Sequence, residues 1–252
     1  MTLDPPERLF HLRVFRQARV GLLDDAEAYL PVFVCLENLG RRLYEGDKTS
    51  PSFVKDLVSP LASFLAPSAY EVLVVNDRKN HVESMLKRLA RARNDAVHSG
   101  AYARHLGVGC LDVSLIAEEA LSQNMNTVSD FMVSSVVVAE SWQPLSFARQ
   151  IMLKNSFTWL PIFFGEKWQF LSAEDILKAL GPSKGEDRAK ILNTPIGELA
   201  QDNKIKLSLA TQIQIKAPAD DARAILSDKA EPLLVIDEAN HLVGIVMAFD
   251  LL

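Results

Sequence analysis

Cysteine is nearly absent from the chain. Its 252 residues include two, Cys35 and Cys110, isolated from each other and in no CxxC pair. That count excludes a disulfide framework and a thiolate metal knuckle, and the expectation is two reduced structural thiols in a cytoplasmic protein. Histidine is also sparse: His11, His81, His98, His105 and His241 are scattered, and no pair has the spacing of metal ligands, so no metal is expected. The 11 glycines form no Gly-rich phosphate loop and no nucleophile elbow. No apolar run approaches the roughly 20 residues that cross a bilayer, so a membrane is not an expected partner. The opening stretch, MTLDPPERLF, is acidic and proline-bearing, unlike a signal peptide. Positive charge is in deficit as well, with 27 Lys and Arg against 32 Asp and Glu, a net −5. The chain as a whole therefore does not read as a nucleic-acid binder.

What is present is apolar residue content of 48% with 23% charged, enough for two ordinary cores and too apolar for wholesale disorder. The basic residues are unevenly placed. From Arg78 to Arg104 seven of them (Arg78, Lys79, Lys87, Arg88, Arg91, Arg93, Arg104) stand among only two acids, Glu83 and Asp95. Residues 123–252 carry 12 basic and 16 acidic side chains. A cationic strip on an otherwise acidic chain can guide a polyanion to one place.

Residues 1–122 show helical spacing throughout, in LFHLRVFRQARVGLL, AEAYLPVFVCLENLGRRLY, SFVKDLVSPLASFLA, YEVLVVNDRKNHVESMLKRLARARNDAVH and CLDVSLIAEEAL. Breaks are expected at Gly46 to Pro51, Pro67-Ser68, Ser99-Gly100 and Gly107 with Gly109, while the helix could continue through Asp24-Asp25. Four or five helices in an antiparallel all-α bundle follow.

The texture changes at about Gln123. SSVVVAE reads as a buried strand, PLSFARQIML as a short amphipathic helix, TWLPIFF and KWQFL as strands, and SAEDILKAL as a helix. The same order returns in TQIQIKA, PADDARAILSD, PLLVIDE, HLVGIVM and AFDLL. Ala148-Arg149 matches Ala222-Arg223 at an offset of 74, Trp159 matches Leu233 at the same offset, and Asp175 matches Asp250 at 75. This internal repeat divides the second half into an α/β module at 123–180, a linker at 181–193 and a second module at 194–252.

The repeat resembles a tandem pair of CBS modules, the cystathionine-β-synthase-type regulatory domain, from about Thr127 to Leu252. In that family a small or hydroxyl residue lies three before an acid just after the last strand. Here that is FLSAEDIL, with Ser172 and Asp175, and IVMAFDLL, where Asp250 keeps the acid and Met247 replaces the hydroxyl. The WLPIF strand, with Pro161, matches the one whose backbone frames the base. The resemblance implies an adenine nucleotide (AMP, ADP or ATP) as regulatory ligand, held by Pro161, Ser172, Asp175 and Asp250. On chemical grounds, a carboxylate in the first turn of a helix can accept ribose hydroxyls while the helix N-terminus presents N–H groups to phosphate. The chain stops two residues after Asp250, so the last helix is expected to be cut short.

If SMLKRLARARNDAVH is one helix, Val82, Met85, Leu86, Leu89, Ala92 and Ala96 form its apolar stripe. Lys87, Arg91, Asn94 and His98 then share a polar face, and Arg93 falls at the edge of the stripe, where a long cation needs a partner. The stretch RNDAVH, with Arg93, Asn94 and His98, is similar to the signature of HEPN domains, small helical bundles many of which are ribonucleases. That resemblance implies an N-terminal HEPN-like bundle whose catalytic residues are Arg93, Asn94 and His98, with Lys87, Arg88, Arg91 and Arg104 as RNA-binding cations. It also implies a homodimer, because five residues along a helix turn about 140° and a single chain's Arg93 and His98 converge poorly. Where some HEPN toxins carry a tyrosine two residues after the histidine, this chain has Gly100.

Together the expectations describe a metal-independent endoribonuclease regulated by an adenine nucleotide, of toxin or stress-response type, with an antitoxin as a further partner. The alternative is a non-catalytic nucleotide sensor whose helical half serves dimerisation. A nucleic-acid-binding module without cleavage is a third option.

Overall fold

The computed structural model describes residues 3–47, 49–69, 77–96, 103–182 and 184–252, with the side chains of 94–96 and 103–105 outside that description. The chain forms two compact units, Met1–Met125 and Asn126–Leu252.

The first unit is helical. α1 (Pro5–Asp24) starts at a reciprocal cap: Glu7 N–H donates to Asp4 Oδ1 at 2.8 Å, and Asp4 N–H donates to Glu7 Oε2 at 3.1 Å. The helix does not run on through Asp25, which is extended at φ −138° and takes the Glu27 N–H on its own carboxylate at 2.9 Å. That local bond competes with helix continuation. α2 (Leu30–Leu43) follows, then a π-helical turn at Phe53–Leu57, α3 (Val58–Leu65), α4 (Arg78–Ala96) and α5 (Ala103–Ser122). The residues 70–76, part of an expected helical stretch, lie outside the described residues.

Phe15, Phe33, Leu36, Leu61, Leu86 and Ile116 are fully buried and bring all five helices onto one core. Among the described side chains of α4 the buried positions are Val82, Met85, Leu86, Leu89 and Ala90, so Ala90 joins the expected stripe while Ala92 is only half-buried and Ala96 lies outside that description. Gly107 and Gly109, read above as a break, stand inside α5. They are there for close packing. A Cβ on Gly107 would lie 2.9 Å from the Ala26 carbonyl oxygen, and one on Gly109 would lie 2.7 Å from Leu89 Cδ2.

Cys35 and Cys110 are buried free thiols, and burial pushes them up to about 11 and about 12. Their thiolates are therefore scarce near neutral pH. Glu118 of α5 is almost wholly buried and receives Arg19 of α1 through two bonds, at 2.6 and 3.1 Å, with Arg16 at 3.7 Å. Arg42 of α2 forks onto Glu7 at 2.5 and 2.8 Å.

His11 is 6% exposed, and its Nδ1 has no hydrogen-bond partner among the described residues. Burial depresses its pKa below the ordinary imidazole value of 6.5; nearby Glu7 opposes that shift and Arg42 adds to it. A depressed folded-state value means that the unfolded chain binds the proton first as pH falls. The stability is therefore complete above the unfolded value and lost on going down through the folded one. Thermal melts from about pH 7.5 to about pH 5.5 are expected to show a falling Tm, and His11→Leu is expected to flatten that slope. An unchanged slope in His11→Leu would assign the acid sensitivity elsewhere.

The second unit begins with α6 (Val128–Phe131), then β1 (Ala139–Glu140), α7 (Leu145–Asn155), β2 (Trp159–Phe164), β3 (Lys167–Ser172) and α8 (Ala173–Leu180). α9 (Gly185–Asn193) and α10 (Ile196–Gln201) lead to β4 (Ser208–Leu209), β5 (Thr211–Gln214), α11 (Ala219–Ser227), β6 (Leu233–Ile236), β7 (Leu242–Val246) and a 3-10 turn at Ala248–Leu251. The sheets are β1-β2-β3-β4 and β5-β6-β7, each with a parallel pair across a helix and an antiparallel hairpin. The segment 181–193, read as a linker, is mostly helical. α9 has Glu186 and Asp187 in its first turn, and its Ile191 and Leu192 pack on the first module's core.

The packing crosses the sequence boundaries. The lead into the first module sits on the second. Val128 and Ser129 N–H groups donate to Ala217 and Ile215 at 2.9 and 3.1 Å, and Val133 exchanges two backbone bonds with Ile245 at 2.9 and 3.0 Å. Gly244 leaves room there, since a Cβ would lie 2.5 Å from Met132 Sδ. In the reciprocal exchange, the lead into the second module sits on the first. Ile196 and Gly197 N–H groups donate to Gln143 and Ser141 at 2.9 and 2.7 Å, and Ile196, Leu199 and Ile205 belong to the first module's core. The expected strand SSVVVAE therefore shrinks to Ala139–Glu140. Val133 is paired to Ile245 and Ala139 to Ile162, so the residues between them pass from one sheet to the other.

Candidate functional site

β2 and β3 form the hairpin on which the candidate nucleotide residues stand. Trp159 is opposite Ser172, and Pro161 is opposite Phe170. Directly opposed antiparallel residues share a face, and the pleat repeats every second residue. Trp159, Pro161, Phe170 and Ser172 therefore line one face, where Trp159 and Phe170 meet edge-on with centroids 5.9 Å apart.

Ser172 ends β3 in an extended conformation (φ −94°, ψ 155°) and caps α8. Its Oγ accepts the Asp175 N–H at 3.0 Å, and its hydroxyl donates to Asp175 Oδ2. The turn before α8 is pinned by Ala173 N–H donating to Thr158 at 2.9 Å. Ser172 is buried and Asp175 half-buried. The sequence thus places a hydroxyl and a carboxylate within bonding reach at a helix start, because residues N-cap and N3 face each other across the first turn.

The second copy keeps this geometry without the hydroxyl. Met247 is the cap residue (φ −113°, ψ 163°), its N–H donates to Asp250 Oδ2 at 2.8 Å, and the residue is 41% exposed. A second hydroxyl–acid box, absent from the sequence reading, is Thr127 with Asp130. Asp130 Oδ2 accepts the Thr127 hydroxyl at 2.8 Å and the Thr127 and Asn126 N–H groups at 3.0 and 3.2 Å. The same three-residue spacing in TVSD was the signal that could have found it. Its bonds are spent on holding α6.

An open cleft of about 550 Å³ also lies in this unit, with Ser135, Val138, Trp168, Asn240 and His241 among its walls. Pro161, Ser172, Asp175 and Asp250 do not line it.

In the helical unit, α4 carries the cations. Arg88 and Arg91 are exposed, and Lys87 pairs with Glu83 one turn earlier at 3.2 Å. Arg93 has a partner within the chain: its Nη1 donates to Glu37 Oε1 of α2 at 2.8 Å, and its guanidinium lies 5.3 Å from the Phe33 ring centroid. Sequence reasoning found the need for a partner but not Glu37. Asn94 lies in α4 and Arg104 in α5, their side chains outside the description, and His98 lies outside the described residues. Among the described residues no group of three or more His, Cys, Asp or Glu is placed to hold a metal ion, and no helix is long and apolar enough to cross a membrane.

The class that the second unit defines is a tandem pair of α/β modules with exchanged lead segments and a hydroxyl–acid cap in the first. Solved structures of CBS-pair proteins are similar to it. The CBS-pair protein CBSX2 of Arabidopsis thaliana matches at 20% identity over 50% of this chain and 90% of its own, with a TM-score of 0.39. The same protein solved in complex with AMP matches at 21% identity, over 50% and 92%, with a TM-score of 0.38. The CBS domain of a bacterial CNNM/CorC family Mg2+ transporter, solved in complex with ATP, matches at 14% identity, over 52% and 87%, with a TM-score of 0.40. No protein-family description matches the sequence, and the curated proteins give no match.

Proposed function

We propose that the C-terminal unit is a CBS-type pair that binds an adenine nucleotide and that the protein is a nucleotide-responsive regulator. The observation that carries this reading is the Ser172–Asp175 pair at the start of α8. Asp175 Oδ2 takes the Ser172 hydroxyl, which leaves Oδ1 for ribose hydroxyls. The first-turn N–H groups of α8 favour a phosphate. Pro161 and Trp159 offer an apolar border to the base on the same hairpin face. In the second copy, Met247 removes one of the two polar groups, so occupancy is one nucleotide per chain at the Ser172 side.

Calorimetric titration with AMP and with ATP tests this reading. Asp175→Ala is expected to weaken binding by about tenfold to a hundredfold, the worth of one or two hydrogen bonds to a charged group. Asp250→Ala is expected to bind as the wild type does. Equal affinity in wild type and Asp175→Ala, or no heat with either nucleotide, would sink the assignment.

The helical unit supports a second, finer reading as the effector: a metal-independent endoribonuclease acting as a homodimer. Arg93 and Asn94 precede His98 at the spacing of the HEPN signature, and exposed Arg88 and Arg91 stand on the same helix. His98 would take the proton of a ribose 2′-hydroxyl, whose oxygen attacks the adjacent phosphorus. The bond to the 5′-oxygen breaks, that oxygen is protonated, and a 2′,3′-cyclic phosphate and a 5′-hydroxyl result. Arg93 would stabilise the charge on the phosphorane oxygens. Nucleotide binding would then shift the population of dimers competent for cleavage.

A further inference from the structure

The open cleft of about 550 Å³ is walled by three separate pieces of the second unit. Ser134, Ser135 and Val138 come from the segment that passes between Val133, paired to Ile245 of one sheet, and Ala139, paired to Ile162 of the other. Trp168 comes from β3, and Asn240 and His241 come from the turn between β6 and β7. Two of these groups are held in place. Trp168 meets Phe163 edge-on with centroids 5.3 Å apart and packs against the core around Phe170 and Leu234. His241 Nδ1 lies 3.3 Å from Asp237 Oδ2, and the N–H groups of His241 and Ala239 donate to Asp237 Oδ1 at 2.8 and 2.9 Å. Those bonds, the His241 N–H foremost, hold the Asp237 carboxyl below the usual carboxylate range. A carboxylate only accepts, so Nδ1 carries the proton and Nε2 of the neutral ring is left as an acceptor.

We propose that this cleft is a second ligand site, separate from the Ser172–Asp175 pair, and that it takes an uncharged nucleoside through its base. The Trp168 indole offers a flat apolar surface for stacking. The Asn240 carboxamide, the two serine hydroxyls and the His241 ring supply donors and acceptors together, which suits the mixed edge of a base. The volume falls in the range of small-molecule sites, roughly 300–1,000 Å³. Among the described residues no Lys or Arg lines the cleft, and the Asp237 carboxylate stands behind its imidazole. A phosphate is therefore disfavoured here, where the start of α8 favours one. An occupant touches both modules and the segment that crosses between them, which ties its binding to how the modules are joined.

The test titrates full-length wild type and Asp175→Ala with adenosine, guanosine, cytidine and uridine, following the indole N–H signals of the three tryptophans by NMR. Trp168→Phe, which loses one signal, assigns the one in the cleft. At least one nucleoside is expected to shift that signal in both proteins, with the same Kd. Trp168→Ala is expected to weaken the binding, measured by calorimetry, about tenfold to a hundredfold through the lost stacking surface. The His241 side chain is 77% exposed, so His241→Ala keeps the fold, and it is expected to weaken binding about threefold to tenfold. In Asp175→Ala, the 5′-monophosphate of the same nucleoside is expected to bind more weakly than the nucleoside. A Trp168 signal unmoved by all four nucleosides would overturn the proposal, as would wild-type affinity in His241→Ala or tighter binding of the monophosphate. Loss of nucleoside binding in Asp175→Ala would also overturn it, placing the nucleoside at the Ser172 side and leaving that nucleotide reading standing.

Discussion

RNA incubated with the His98→Ala variant in EDTA is expected to stay intact where the wild type cuts it. The expected loss is about a hundredfold to ten-thousandfold, the contribution of a positioned general base. Chelation is expected to leave the wild type active, because the proposed chemistry needs only an imidazole and a guanidinium. The ends of the products decide the mechanism. A 2′,3′-cyclic phosphate (or the 3′-phosphate it opens to) with a 5′-hydroxyl follows from attack by the neighbouring 2′-oxygen, whereas a 5′-phosphate would mean an activated water and a different site. Adding AMP or ATP to the same reactions asks whether the two units communicate. Equal cleavage by wild type and His98→Ala would leave the helical unit as a dimerisation or partner-binding element, with the nucleotide site as the protein's function. RNA that binds in a salt-dependent way without being cut, in both proteins, would favour a binding module.

Glu118→Ala is expected to cost the helical unit about 3 kcal/mol, lowering its Tm by roughly 10 °C. Glu118 joins α5 to α1 through Arg19, whose side chain is 12% exposed against 11% for Glu118, with Arg16 nearby at 3.7 Å. Removal of the carboxylate takes two charge-assisted bonds from a nearly buried guanidinium, and that loss exceeds what the intact pair contributes. A double replacement, Arg19→Met with Glu118→Met, is therefore expected to melt closer to the wild type than either single variant. Strictly additive losses in that cycle would show that the two side chains stabilise the fold independently.

The same contrast marks what could be read from the sequence. Val82, Met85, Leu86 and Leu89 were legible as a buried stripe because helical periodicity is a property of neighbours in the chain. Ser172 with Asp175 was legible for the same reason, since a cap spans three residues. The glycines misled: Gly107 and Gly109 have the composition of a break, yet their role is to let α5 approach Ala26 and Leu89. The strand SSVVVAE misled because its β-branched run is real, but only Ala139 and Glu140 are paired, while Val133 just before it is paired to the other sheet. Arg93 was correctly marked as needing a partner, and that partner lies 56 residues away on α2.

The sequence by itself determined the division into a helical half and a repeated α/β half, because periodicity, offsets and caps are short-range and depend on a few adjacent side chains. Only the tertiary structure decided that each module is completed by the lead segment of the other, that Glu37 and Phe33 hold Arg93, and that Glu118 and Arg19 meet in a nearly dry contact. Those choices depend on which distant surfaces exclude water together. Burial and charge pairing act through space, and no local pattern encodes their partner.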